Sequence, residues 1–150
     1  MDHSILAGDL FLGGYNCAQS VAVAFCDVTG LDKGLAARMA SSFGGGIGRQ
    51  REVCGAVSGM MMVLGLLYGY SQPEDDSSKK KQYQDIQALC AAFREEVGSI
   101  VCRDILKNPP SDPTPSPRTS EYYAKRPCAR MVMTAARLMD EYIAAHPLEG

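Results

Sequence analysis

The chain has 150 residues, of which 46% are hydrophobic and 21% charged, with a formal net charge of -2. Such values fit one ordinary globular domain over residues 1–150, built on one core. They exclude the broad basic field that nucleic acid or an anionic lipid surface would need, and an aromatic content of 7% argues against a base-stacking platform.

The N-terminus, MDHSILAGDLFLGG, has no basic leader region, and Asp9 interrupts its apolar stretch, so it does not read as a signal peptide. A cytoplasmic location is the expectation. In a reducing compartment, six cysteines point to catalysis, redox or metal chemistry rather than structural crosslinks.

Residues 2–12 can form a first helix that stops at Gly13–Gly14. Asn16 is a good N-cap for a second helix over 17–29, closed by Gly30. Asp32 can cap a third, KGLAARMASSF, which ends at Gly44. A glycine-rich loop, GGGIG, follows. A fourth helix is expected from Val53 or Cys54 to about Gly69. This uncharged run reaches only the lower edge of membrane-spanning length and contains Gly55, Gly59, Gly65 and Gly69. It reads as a buried central helix whose small residues let neighbours approach, not as a membrane span.

SQPEDDSSKKK reads as a polar connection. A fifth helix carries Tyr83, Ile86, Leu89, Cys90, Phe93 and Val97 on one face and breaks at Gly98. Ser99 can cap a short helix, IVCRDIL. The next stretch, KNPPSDPTPSPRTS, holds five of the eight prolines and cannot be a regular helix. It is expected to be a long crossover loop. A last helix starts near Pro127 and carries Cys128, Met131, Val132, Ala135, Leu138 and Met139 at helical spacing. No strand is expected. The fold class is all-α, a single-domain bundle of five or six helices with a proline-rich crossover loop.

Cys17, Cys54, Cys102 and Cys128 all fall in the first turn of an expected helix. Unpaired N–H groups and the positive dipole end found there favour a thiolate over a thiol. Arg49 and Arg51 add positive charge beside Cys54, offset in part by Glu52. Cys26 and Cys90 lie on apolar helix faces and read as small core residues. None of the four forms a C-x-x-C pair, so any shared site has to be assembled by the tertiary fold.

The local words around these cysteines are G-Y-N-C-A-Q-S at 14–20, F-G-G-G-I-G at 43–48, C-G-A-V-S-G at 54–59 and S-I-V-C-R-D-I-L at 99–106, followed by Cys128. Together they resemble the redox-active protein family C_GCAxxG_C_C, and the resemblance covers nearly the whole chain. It implies a small helical protein whose redox-active or metal-binding positions are Cys17, Cys54, Cys102 and Cys128. It also implies that Gly55 and Gly59 of the motif lie against any cofactor.

Two chemistries follow from such a set. In the first, the cysteines pass electrons by thiol–disulfide exchange with a redox partner protein or a small thiol, making the chain a thiol-based oxidoreductase or electron carrier. Cys54 is the expected attacking thiol, because its glycine loop can admit a partner. In the alternative, the same four residues hold zinc or an iron–sulfur cluster. A third class is a ligand-binding bundle without redox chemistry, in which GGGIG with Arg49 and Arg51 cradles an anion; no Walker motif is present. Met60, Met61 and Met62 read as core rather than copper ligands, and a methionine-rich surface would also suit a homodimer. His3 and His146 lie near the termini and are not expected to serve as base or ligand.

Overall fold

The computed structural model describes residues 2–148. Helix α1 (His3–Leu12) is capped by the Asp2 side chain. Helix α2 (Cys17–Ala24) opens on a capping box: the Asn16 side chain accepts from the Gln19 N–H, and the Gln19 side chain accepts from the Asn16 N–H. Helix α3 (Cys26–Thr29) ends at left-handed Gly30, and α4 (Lys33–Ala40) is capped by Asp32. A 3-10 turn (Ser41–Phe43) leads into the tight turn α5 (Gly44–Ile47). Helix α6 (Gly55–Tyr68) is the central element. Long α7 (Asp76–Val97), short α8 (Cys102–Ile105), α9 (Ser120–Lys125) and α10 (Cys128–Ala145) complete the chain.

The all-α class holds, with more and shorter helices than the five or six expected. Three differences have local causes. The expected helix over 17–29 breaks at Phe25, whose backbone leaves helical geometry while its fully buried ring stacks on His3 at 4.1 Å. The polar connection after α6 is shorter than it reads, because Asp75 caps α7 at Ser78 and SSKKK forms its first turns. The segment after Gly98 does not go straight into a helix: Ser99 Oγ accepts from the Val101 N–H, and Val101 pairs antiparallel with Val53.

The core forms where α1, α2, α6 and α10 meet. Phe11, Phe25, Met60, Leu64, Phe93 and Met139 are its largest fully buried side chains. Leu89 and Phe93 are the buried residues of α7; Ile86, Cys90 and Val97 pack at the core margin, while Tyr83 is exposed. Among the described residues no helix is long and apolar enough to cross a membrane.

Close contact between α2 and α6 depends on glycine. A Cβ at Gly59 would lie 2.7 Å from the Ala18 carbonyl oxygen, and one at Gly55 would lie 3.2 Å from Cys17 Cβ and 3.1 Å from the Ala18 nitrogen. These glycines set the distance between the first turns of α2 and α6, and hence the separation of the cysteines there.

Candidate functional site: four cysteines around one cavity

The ends of α2, α6, α8 and α10 converge on a cavity of about 290 Å³, lined by Cys17, Cys54, Cys102 and Cys128. All six cysteines of the chain are free thiols. Cys26 and Cys90 do not line the cavity. Cys26 packs with Val23 and Ala36, its thiol 3.8 Å from the Ala22 carbonyl, and Cys90 packs at the core margin.

Two local devices assemble the set. The first is the antiparallel bridge between Val53 and Val101. On either side of it the Cys54 N–H donates to the Ile100 carbonyl at 2.7 Å, and the Cys102 N–H donates to the Glu52 carbonyl at 2.6 Å. Residues next to a bridged pair point to the opposite face from it, so Cys54 and Cys102 share one face of this short pairing. The second device is the glycine turn. Gly45, Gly46 and Gly48 have positive φ, as do Ile47, Arg49 and Arg51. A left-handed non-glycine residue is strained, and three of them here are held by the Arg51 N–H to Gly45 and Glu52 N–H to Gly46 hydrogen bonds. A Cβ at Gly46 would lie 2.8 Å from Cys102 Cβ, so this turn can close over Cys102 only with glycine at that position.

The turn buries Arg51, which is 4% exposed. Its Nε donates to the Pro110 carbonyl at 2.9 Å, and its Nη1 lies 3.8 Å from Cys102 Sγ. Its Nη2 is buried without a hydrogen-bond partner among the described residues. Arg49 Nε donates to the Asp112 carbonyl at 2.8 Å, and its Nη1 donates to Ser116 Oγ at 3.1 Å. The proline-rich crossover is thereby tied down over the site, and Pro113, Pro115 and Ser116 line the cavity. Arg118 donates to the Phe11 and Tyr15 carbonyls, and Arg126 stacks over Tyr122 at 5.2 Å.

The four thiols have different acidities. Cys128 is held down at about 7: the Cys17 thiol favours its anion by hydrogen bonding, and Arg126, Arg118 and Arg51 add positive charge, against the opposing effect of burial. Cys17 is correspondingly pushed up, first by its hydrogen bond to Cys128 and then by burial. Burial lifts Cys54 to about 12; the amides of Ala56 and Val57 at the start of α6 act the other way without offsetting it. Burial also raises Cys102, despite the Arg51 guanidinium.

These values correct the expectation that four helix starts would give four activated thiols. A helix end contributes a fraction of a charge, and removal from water outweighs it at Cys54 and Cys102. Cys54 is moreover the N-cap of α6 rather than a first-turn residue. The lowered thiol is Cys128, not Cys54. Gly55 and Gly59 act as packing residues between α2 and α6. Gly55 reaches the cavity wall, whereas Gly59 does not line it. Arg118, Arg126 and Tyr122 were not anticipated as parts of the site. Two arginines flanking the segment just before Cys128 were the available signal.

An all-α protein with four cysteines from distant segments around one arginine-lined cavity defines the class. A family model described as Putative redox-active protein (C_GCAxxG_C_C) matches residues 15–142, and the chain belongs to that family. No curated protein and no solved structure matches the chain.

Proposed function

We propose that the protein works by thiol–disulfide exchange, with Cys128 as the attacking thiolate and Cys17 as the resolving thiol. The observation that carries this reading is the convergence of Cys17 and Cys128 on one cavity wall with Arg51, Arg118 and Arg126, whose positive charge favours the Cys128 thiolate. A thiol near pH 7 combines a high thiolate fraction with good nucleophilicity.

The step balances within the pair and its substrate. The Cys128 thiolate attacks one sulfur of a disulfide, a mixed disulfide forms, and the other sulfur leaves as a thiolate. Cys17 then loses its proton to solvent, attacks the Cys128 sulfur and expels the second thiolate. Two electrons pass from the cysteine pair to the substrate, and the reverse sequence oxidises a dithiol. Capture of Cys128 in the mixed disulfide removes the anion that raises Cys17, so the resolving thiol becomes more acidic when it is needed.

The alternative of a zinc or iron–sulfur centre on the same four cysteines has their shared cavity in its favour. Among the described residues, however, no three His, Cys, Asp or Glu side chains are grouped so as to hold a metal ion. Exchange is therefore the better supported reading. Limited oxidation of the reduced protein, followed by peptide mapping, tests it. A Cys17–Cys128 disulfide should form before any other. Formation of Cys54–Cys102 first, or protection of all four thiols by stoichiometric metal, would overturn it.

A further inference from the structure

We infer that the cavity selects a small anionic disulfide, one carrying carboxylate groups, as the exchange partner of Cys128. The inference rests on the exchange reading and adds the substrate class. Arg49, Arg51, Arg118 and Arg126 line the cavity, and no Asp, Glu or Lys among the described residues does so. This concentration of positive charge lies in a chain whose net charge is -2.

Among the described residues only Arg49 of the four makes an ion pair. Arg51 is almost wholly buried, and its Nη2 has no hydrogen-bond partner among the described residues. A buried guanidinium nitrogen without a partner is costly, and an anion accepting from it removes that cost. Arg126 makes no ion pair among the described residues; its guanidinium stacks on Tyr122. Arg49 is different, since Asp112 lies 3.9 Å away, and Arg118 is occupied by backbone carbonyls. Arg51 and Arg126 therefore supply the charge that an anionic ligand would meet beside Cys128.

Size favours a small molecule. The cavity holds about 290 Å³, near the lower limit of ligand pockets, and the proline-rich crossover covers it. Cys54, Cys102 and Cys128 are each less than 10% exposed. A disulfide embedded in a folded protein would reach Cys128 less readily than a small molecule.

In the reaction, the Cys128 thiolate breaks the S–S bond of the anionic disulfide and releases one half as a thiolate. Cys17 then closes the intramolecular disulfide and releases the other half. One disulfide is reduced to two thiols as the Cys17–Cys128 pair is oxidised.

The test uses the fully reduced protein at pH 7 and low salt, with dithiodiglycolate, bis(2-hydroxyethyl) disulfide and cystamine as anionic, neutral and cationic probes. Second-order rates at Cys128 are divided by each probe's rate with free dithiothreitol, which removes differences in intrinsic reactivity. The anionic probe should react at least about tenfold faster than the cationic one after this correction. The preference should shrink in 0.5 M salt and in Arg126→Gln. It should also shrink in Arg51→Asn, where asparagine tolerates the left-handed backbone. Equal corrected rates for all three probes would overturn the anion inference and leave exchange standing. Faster reduction of insulin disulfides than of any small probe would overturn it as well. Failure of every disulfide to react at Cys128 would overturn both.

Discussion

Cys54 and Cys102 are held on the same face of a single antiparallel bridge, the N–H of each donating to a backbone carbonyl beside the other, Cys54 to Ile100 and Cys102 to Glu52. Both are buried, and burial raises both thiols. They flank the cavity as protonated groups at neutral pH, so fast alkylation at pH 7 should be confined to Cys128. Mass spectrometry after a brief iodoacetamide pulse should find the label there well before it reaches Cys54 or Cys102.

Removing Cys17 should weaken the thiolate at Cys128. The Cys17 thiol is the largest influence holding Cys128 at about 7. In Cys17→Ala the pH midpoint of Cys128 alkylation should rise toward the ordinary value of 9.0, with a corresponding fall in rate at pH 7. Cys26→Ala and Cys90→Ala, remote from the cavity, should leave the midpoint unchanged. A midpoint that stays near 7 in Cys17→Ala would assign the lowering to the arginines instead.

Folding stability should fall on the alkaline side. Folded Cys54 keeps its proton to about pH 12, whereas an ordinary thiol gives it up near 9.0. The folded state therefore binds more protons than the unfolded state over that window, and stability decreases as pH rises through it. The contribution of this one thiol is on the order of 4 kcal/mol across the window. Urea unfolding between pH 8 and 11 should show the decline, and Cys54→Ala should make it shallower.

Helix positions were legible wherever a cap was written into the sequence. Asn16, Asp32 and Gly98 act at the ends expected of them, because a cap is a local interaction between neighbours in the chain. The break at Phe25 was not legible, since it comes from a long-range stack on His3. The four site cysteines were legible as a set, but their ranking was not. Their acidities depend on burial and on which sulfur faces which, and both are set only after the chain has folded. The proline-rich crossover reads only as a long loop, yet it supplies the carbonyls of Pro110 and Asp112 that fix Arg51 and Arg49.

Two glycines of α6 should respond to alanine in opposite directions. At Gly59 a Cβ would meet the Ala18 carbonyl oxygen at 2.7 Å and Val21 Cβ at 2.9 Å. Relief requires α2 and α6 to move apart, so Gly59→Ala should cost about 1–3 kcal/mol. At Gly65 the nearest atom is Gln82 Nε2, 3.8 Å away. Gly65→Ala should stabilise the protein by about 0.5–1 kcal/mol through helix propensity. Denaturant unfolding of the two variants checks both signs. Because Gly59 spaces α2, which opens on Cys17, from α6, its variant should also shift the alkylation midpoint of Cys128, and Gly65→Ala should not.

His3 forms a clamp between three segments, remote from the cysteines. Its Nδ1 lies 2.6 Å from Asp140 Oδ1 and its Nε2 2.9 Å from Asp27 Oδ1, while its ring stacks on Phe25. The clamp ties α1 to α3 and α10, and α1 in turn packs along α10 and α2. His3→Phe keeps the stacking surface but leaves Asp27 and Asp140 facing an apolar ring. It should cost about 2 kcal/mol through the lost hydrogen bonds, moderated because Asp27 is 43% exposed. Asp27→Asn should cost less, since the amide can still hydrogen-bond Nε2. Neither variant should alter thiol reactivity at Cys128, because His3 does not line that cavity. A change in Cys128 alkylation rate in His3→Phe, measured where the variant is fully folded, would show instead that the clamp and the cysteine site are coupled through α10.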